Sequence, residues 1–489
     1  MKLYFSGHNY KYGVEQMLST LFPGEKPEYP GGRPEGDRME ISLSEARVYI
    51  TAVCSYYSGG RLFRGRCAVK REKTNETDRD SLCQYAIKNA IYRAVIASGL
   101  TEQPWGSLTG VRPGKLMHGI VRRTGNREQA VAKFMKDYSV TEKRAELCYD
   151  ATMYTLKAEE TLGKRDICLY VGIPFCPTRC AYCSFVSQAV GKSMQLIPDF
   201  LEALEKEIEA AAEQVRKNGL RVSAIYMGGG TPTTLTAEEL DRLCGRLAEC
   251  FDLAGLKEYC VEAGRPDTIT REKLVVLRRH GVDRISVNPQ TMNDPVLEAI
   301  GRRHTAEDII RALSVARDVR GFAINMDLIA GLPADSVDGF KKSMDMVLEL
   351  DPENITVHTL SLKRGSRLML AEEKIPGAAE VGEMLEYAYE RLRNAGYEPY
   401  YLYRQKNMSG GFENTGWTKP GHENLYNICM MEEINTIVAM GAGGSSKLID
   451  PEGGRNIRMT APKYPLEYIQ SIEKTCADKE KISEFYEGR

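Results

Sequence analysis

Tyr170-Val-Gly-Ile-Pro-Phe-Cys176-Pro-Thr-Arg-Cys180-Ala-Tyr-Cys183-Ser-Phe185 follows directly on a short β-rich run, 167–171, and carries three thiols within eight residues. The run reads as a buried strand and the cysteine stretch as the loop that leaves it. Thiolates at i, i+4 and i+7 can wrap one face of a metal centre, and soft sulfur ligands select an iron–sulfur cluster, zinc or Cu(I). A structural zinc site would want a fourth Cys or His at short spacing, whereas the next cysteine, Cys244, lies far along an expected helix. Three ligands on a four-iron cluster leave one iron open.

Outward from this loop the rhythm repeats. Expected strands at 167–171, 224–227, 259–262, 284–287, 324–329 and 355–360 alternate with amphipathic stretches at 198–217, 237–251, 271–280, 306–319 and 337–350. That alternation is the sign of βα units around a parallel sheet. A six-unit partial (β/α)6 barrel fits best, and a doubly wound open sheet gives the same string of elements. Before it, 1–165 reads as an α+β amino-terminal domain, with strand-like runs at 2–6, 39–43, 46–56 and 61–70 and helical periodicity from Thr77 through Leu82, Tyr85, Ala86, Ala90, Ile91 and Val95. After it, a long helix at 378–394 closes the barrel region 166–396, and 397–489 forms a carboxyl-terminal extension covering the barrel. The fold class is α/β.

Composition narrows the function. At about 150 residues per domain, 489 residues give two to four domains with ample core. Lys and Arg total 66 against 67 Asp and Glu, a net charge of -1, so a general nucleic-acid binder is not expected. No apolar run approaches the roughly 20 residues that span a bilayer, and no signal peptide opens the chain, so it reads as cytoplasmic. Thirteen cysteines in a reducing compartment are then ligands or small hydrophobes, not a disulfide framework. Cys54, Cys67, Cys83, Cys148, Cys168, Cys244, Cys250, Cys260, Cys429 and Cys476 lack ligand spacing and read as buried hydrophobes.

Sites on parallel sheets form at the carboxyl ends of strands. Met227-Gly-Gly-Gly-Thr231-Pro232 ends the second strand, where absent side chains let backbone approach a ligand closely. Glu262 ends the third, Asn288 and Gln290 follow the fourth, and Asp327 lies in the fifth. Arg302, in Ile300-Gly-Arg-Arg-His304, could pair bidentately with a carboxylate.

The C-x3-C-x2-C loop with the glycine-rich strand end resembles the radical S-adenosylmethionine (SAM) enzymes. Tyr170 to Phe185, Gly228 to Thr233, Glu262, Ser286 to Gln290, Gly301 to Thr305 and Ile324 to Pro333 together resemble the oxygen-independent coproporphyrinogen III oxidase (dehydrogenase) family, which includes a heme-chaperone branch. The resemblance covers roughly 166–448, including Lys419-Pro-Gly-His-Glu-Asn-Leu-Tyr-Asn427 and Met440-Gly-Ala-Gly-Gly-Ser-Ser-Lys447, and Gly106-Ser-Leu-Thr-Gly-Val-Arg-Pro113 looks like the HemZ-like subgroup. It implies a [4Fe-4S] cluster on Cys176, Cys180 and Cys183, and SAM contacts from Tyr170, Tyr182, Gly229, Gly230, Thr231, Glu262, Gln290, Arg302 and Asp327. The implied chemistry is reductive cleavage of SAM to a 5′-deoxyadenosyl radical, hydrogen abstraction from propionate side chains and loss of carbon dioxide to give vinyl groups. A one-electron donor such as flavodoxin or ferredoxin is the implied partner, alongside a tetrapyrrole substrate.

Two departures bear on the reaction. Phe185 stands where the dehydrogenase has a fourth cysteine, as in the chaperone branch, and Gly172 stands where both branches have a histidine. No catalytic side chain is singled out. Lys363, Arg364, Arg404 and Lys406 are candidates to meet substrate carboxylates. A heme-binding or heme-chaperone protein that keeps the cluster is the second reading, with His358 and His422 the plausible axial pair among six histidines. Methyl transfer or heme ring opening on the same scaffold differs only in the fate of the radical.

Overall fold

The computed structural model describes residues 1–71, 76–110, 112–183, 193–361, 375–405, 409–450 and 456–487. They fall into two compact units, Met1–Tyr149 and Asp150–Arg489.

In the first unit, β1 (Lys2–Ser6) runs parallel to β2 (Arg38–Glu45), and β3 (Tyr49–Ser58) and β4 (Arg61–Lys70) add antiparallel, in the order β1-β2-β3-β4. Alternate residues of β3 are buried, so one face of the sheet carries Ile50, Ala52, Cys54 and Tyr56 inward. Two helices cover that face: α1 (Lys11–Leu21) with Val14, Met17 and Leu18, and α2 (Glu76–Ile96) with Ala86, Ile87, Ala90 and Ile91. Two more helices follow, α3 (Pro113–Thr124) and α4 (Arg127–Tyr138), and α5 (Glu142–Thr161) begins in the first unit and ends in the second. In α3, Pro113 in the first turn and Arg122 and Arg123 in the last are favourable helix ends.

The second unit is built on one eleven-stranded sheet. β5 (Asp166–Ile173), β6 (Arg221–Gly229), β7 (Glu258–Val261), β8 (Arg284–Ser286), β9 (Ala323–Ala330) and β10 (Asn354–Thr359) pair in sequence order, each parallel to the next. That order has no reversal, which excludes the doubly wound alternative and leaves the unclosed (β/α)6 barrel. The connecting helices are α6 (Ile197–Lys217), α7 (Ala237–Cys250), α8 (Arg271–Arg279), α9 (Asp294–Ala299), α10 (Ala306–Val319) and α11 (Val337–Glu349). Four of them start on a side chain that accepts from the third helical N–H: Thr236, Thr270, Thr305 and Ser336.

Residues 397–489 do not stand apart from this sheet. After α12 (Ala378–Asn394), β11 (Glu398–Arg404) and β12 (Glu413–Thr418) add antiparallel beyond β10. Then α13 (Leu425–Glu432) leads to β13 (Thr436–Gly441), which pairs parallel to β5 on its other side, followed by β14 (Ser445–Leu448) and β15 (Ile457–Thr460). β5 is therefore central rather than an edge, which is why seven of its eight residues are buried. The tail thus completes the sheet that the repeats begin, within the unit that starts at Asp150.

A buried charge network fastens the tail. Glu207, on the inner face of α6 and fully inaccessible, lies 2.7 Å from Lys479 Nζ, accepts the Gly441 N–H at 2.7 Å and accepts the Tyr468 hydroxyl. Lys479 also donates to Ala439 O at 2.6 Å. The thirteen cysteines are all thiols, but Cys250 and Cys476 are half-buried rather than buried as expected.

Losing one partner of such a pair strands the other charge out of water, at about 3–5 kcal/mol. Glu207→Ala should lower the unfolding free energy of the second unit, read from urea titration, by that amount, and Glu207→Leu with Lys479→Met should recover much of the loss. A double variant as unstable as the single one would show that the charges are not the fastening.

Candidate functional site

The cysteine loop leaves the carboxyl end of β5 and is held by the end of β6. Gly230 donates its N–H to Ile173 O and Thr231 donates its N–H to Phe175 O, each at 2.7 Å. A Cβ on residue 230 would stand 2.5 Å from Phe175 O and 2.8 Å from Ile173 O, so only glycine lets the two segments meet. The glycine run thus fastens the cysteine loop, which a reading based on ligand approach alone does not anticipate. Thr231 Oγ1 then reaches Cys176 Sγ at 3.5 Å.

Two buried guanidiniums attend the other end of the loop. Arg265 donates to Thr178 O at 3.0 Å and lies 4.0 Å from Cys180 Sγ. Arg302 donates to Asn288 O at 2.6 Å and reaches Tyr182 Oη at 3.4 Å. Burial opposes ionisation of Cys180, but Arg302 and Arg265 outweigh it and hold the thiol below its ordinary range. Cys176 is pushed up to about 11, chiefly by burial and further by Cys183 and Cys180, so the three sulfurs lie within electrostatic reach of one another. Among the described residues no three His, Cys, Asp or Glu side chains gather on a single ion position. A four-iron cluster does not require that, since each thiolate takes a different iron. Three thiols on one loop, with two buried cations beside Cys180, fit such a cluster.

The remaining candidates stand at successive strand ends. Glu262, one residue past β7, accepts the Tyr226 hydroxyl at 2.5 Å, and burial pushes its carboxyl up to about 7. Tyr226 stacks on Tyr426 with centroids 4.4 Å apart, and Tyr170 lies 6.4 and 6.2 Å from these two rings at interplanar angles of 15° and 20°. Gln290 holds φ at +69°, a left-handed backbone uncommon outside glycine, and is clamped to β9 by donating to Asp327 O at 2.8 Å and accepting from Ile329 N–H at 2.9 Å. Asp327 accepts Asn325 Nδ2 at 2.8 Å and lies 3.7 Å from His358 Nε2; burial is outweighed by these partners, so its carboxyl stays below the usual range. Tyr182, Cys183, Gln290, Asp327 and His358 line one cavity of about 230 Å³.

Of the sequence candidates, Tyr182, Cys183, Gln290 and Asp327 share this cavity, while Tyr170, Gly229, Gly230, Thr231, Glu262 and Arg302 stand on the strands and loops around it without lining it. Sequence reasoning missed Arg265, Tyr226 and His304. His304 is buried beside Arg302 and Arg265, neither ring nitrogen has a hydrogen-bond partner among the described residues, and burial with the two cations drives its pKa to about 4. Ala263-Gly-Arg265-Pro266, just past a strand end, is the signal that could have flagged Arg265.

Other expectations fail on geometry. Arg404 is buried and donates to Gly411 O at 3.0 and 2.6 Å, so it is not a rim cation, while Phe185, Lys363, Arg364 and Lys406 lie outside the described residues. His422 is exposed at the amino-terminal end of the sheet, where its carbonyl accepts from Arg284 at 2.8 Å and from Asn354 at 2.9 Å. His358 lies toward the opposite end of β10, roughly 13 Å away at about 3.3 Å per residue, so the two imidazoles do not face one iron. The same tail segment is tied in by Glu258, which accepts the Leu425 and Tyr426 N–H groups at 3.0 and 3.2 Å and lies 3.4 Å from Arg284, setting Tyr426 against Tyr226.

The sequence pattern of the radical SAM superfamily matches residues 170–347. The oxygen-independent coproporphyrinogen-III oxidase-like protein HemZ of Bacillus subtilis (strain 168) is 38% identical over 96% of this chain and 95% of its own. The heme chaperone HemW of the same organism is 30% identical over 61% of this chain and 75% of its own. Among solved structures, the Escherichia coli coproporphyrinogen III oxidase HemN, a radical SAM enzyme, superposes with a TM-score of 0.51 at 23% identity, covering 66% of this chain and 73% of that one, which is a likeness of fold. With a relative matched from end to end and the superfamily pattern lying over the cysteine loop and strands β6 to β9, the chain belongs to the radical SAM superfamily and, within it, to the oxygen-independent coproporphyrinogen-III oxidase-like HemZ family.

Proposed function

We propose that the chain is a radical SAM enzyme of tetrapyrrole metabolism, converting propionates of coproporphyrinogen III to the vinyl groups of protoporphyrinogen IX without oxygen. The observation that carries this reading is the convergence at one edge of the sheet of the cysteine loop, the glycine-rich end of β6 and polar groups from β7 to β9, beside the Tyr182–His358 cavity. Its relative's name, coproporphyrinogen-III oxidase-like, supplies the substrate class.

In this reading Cys176, Cys180 and Cys183 hold the [4Fe-4S] cluster, and Tyr170, Tyr182, Gly229, Gly230, Thr231, Glu262, Gln290, Arg302 and Asp327 form the SAM pocket. The loaded cofactors supply one electron and the 5′-deoxyadenosyl radical that takes hydrogen from the substrate. Arg265 and Arg302 offset the thiolate charge in a buried setting, where an uncompensated charge would be costly. Glu262, once ionised, would accept a hydrogen bond from the cationic SAM, and Gln290, whose backbone is held left-handed by β9, would present its side chain to the cavity. Each propionate that becomes a vinyl group loses one hydrogen atom, one electron and one carbon dioxide, the electron leaving to a one-electron acceptor.

A heme-handling role is the second reading, favoured by the heme-chaperone relatives and by one geometric fact: His358 faces the cavity with Asp327 behind it. In this version His358 alone, without His422, offers an axial nitrogen.

Three measurements bear on these assignments. Cys176→Ala, Cys180→Ala and Cys183→Ala should each abolish the visible thiolate-to-iron absorption and most of the about four irons per chain, while Cys54→Ala keeps both; equal behaviour of all four would refute the ligand set. With its carboxyl near 7, Glu262 goes from about one-tenth ionised at pH 6 to about nine-tenths at pH 8, so SAM affinity should rise several-fold over that range and flatten in Glu262→Gln. Reconstituted anaerobically with SAM and a reductant, the protein should turn coproporphyrinogen III into a divinyl product. Stoichiometric heme binding, lost in His358→Ala and unaccompanied by product, would instead support the second reading.

A further inference from the structure

The Gly106-Ser-Leu-Thr-Gly110 motif plays no part in the site described above, yet it builds the wall of a cavity of about 540 Å³ inside the first unit. Gly106 has φ +52°, and a Cβ there would lie 2.2 Å from both Tyr138 O and Ser139 O, so the turn is pressed against the end of α4. Ser107 secures it, donating from its N–H to Tyr138 O at 2.8 Å and from its hydroxyl toward Asn89 Oδ1 at 3.2 Å. Asn89 and Ser107 are 1% and 3% exposed, so the polar side of the cavity is a built, buried structure rather than a surface dip. Much of the remaining lining is apolar or aromatic: Leu82, Tyr85, Leu108 and Tyr138.

Lys88 gives the cavity its charge. Burial lowers its pKa, and its ammonium finds one acceptor among the described residues, Gln16 Oε1 at 3.5 Å, which Thr109 Oγ1 already engages at 3.2 Å. No carboxylate among the described residues pairs with it; the acidic residue on the wall, Asp137, is held by Lys133 at 2.9 Å. A half-buried cation without a counter-ion, set in a mostly apolar cavity with a few fixed polar groups, is the arrangement of a small-molecule site. The charge pattern also selects the ligand. Of the two lysines on the wall Lys133 is taken by Asp137, so Lys88, with no arginine beside it, suits a single negative charge, whereas a phosphate would call for an arginine fork or a nest of N–H groups.

We infer that this cavity binds a small organic molecule with an apolar body and one carboxylate, the carboxylate on Lys88 and the body against Leu82, Leu108 and the two tyrosine rings. The site is separate from the cluster cavity and does not depend on the reaction proposed for it. Isothermal titration of the full chain with octanoate should show saturable binding at one site, with 1-octanol at least about tenfold weaker. Lys88→Met should erase the preference for octanoate over 1-octanol while leaving 1-octanol binding in place, and Lys88→Arg should retain it, which separates loss of charge from loss of fold. Equal affinity for acid and alcohol, an unchanged preference in Lys88→Met, or inorganic phosphate binding with the same dependence on Lys88 would overturn the assignment. Octanoate binding that vanishes in Cys176→Ala would place the ligand at the cluster cavity and overturn it equally.

Discussion

Two backbone hydrogen bonds, from Gly230 to Ile173 and from Thr231 to Phe175, decide where the cysteine loop stands relative to everything else in the site. They are possible because residue 230 has no Cβ, and they leave Thr231 beside Cys176. The loop in turn brings Tyr182 to Arg302 and Cys180 to Arg265, side chains that come from beyond β8 and β7. A cluster loop held only by its own sequence would pay a large conformational entropy for each new contact. Pinned at its first residues to a neighbouring strand, it offers its thiols in a nearly fixed arrangement.

Charge burial follows the same economy of placement. The second unit buries carboxylates at Glu207 and Glu258, and each is paired with a cation and also accepts backbone N–H groups that would otherwise be unmatched. Both tie the tail to the repeats: Glu207 holds β13 and the last helices to α6, and Glu258 holds the start of α13 to the amino ends of β7 and β8. Around the cysteine loop the buried cations Arg265 and Arg302 lie beside Cys180, and Arg265 is also paired with Asp267 at 3.2 Å. Arg302 has no such carboxylate among the ion pairs of the described residues, so an anionic sulfur beside it offsets a burial that would otherwise be costly.

How much of this was legible in the sequence depends on the range of the signal. Strands β5 to β10 and the three cysteines are local patterns, an apolar run or a spacing of four and three, and they stand where the sequence puts them. β13 is also a short apolar run, but nothing local says that Thr436–Gly441 pairs with β5 across about 270 residues of chain, so the tail read as a separate domain. His422 and His358 look equivalent on paper; the direction of β10 separates them. Arg404 reads as a surface cation, and only the close pairing of β11 with β12, which buries it, removes it from the mouth. Tyr226 and His304 carry no spacing rule at all: their significance is what lies above and beside them.

The positions that depart from the dehydrogenase pattern are distributed unevenly over this frame. Thr231, Glu262, Gln290 and Asp327, proposed above as SAM contacts, are each tied to a group from a neighbouring strand or loop. Gly172, by contrast, lies inside β5 in register with Gly228 and Gly441, so the space that a histidine side chain would fill is left to backbone and to the tyrosines nearby. His358 stands at the far side of the cavity on β10, which pairs with the antiparallel strand β12 rather than with another repeat. The tail strands adjoin the sheet at both flanks, beyond β10 and beyond β5, and that is where residues can change without disturbing the thiols, the arginines or the strand ends between them.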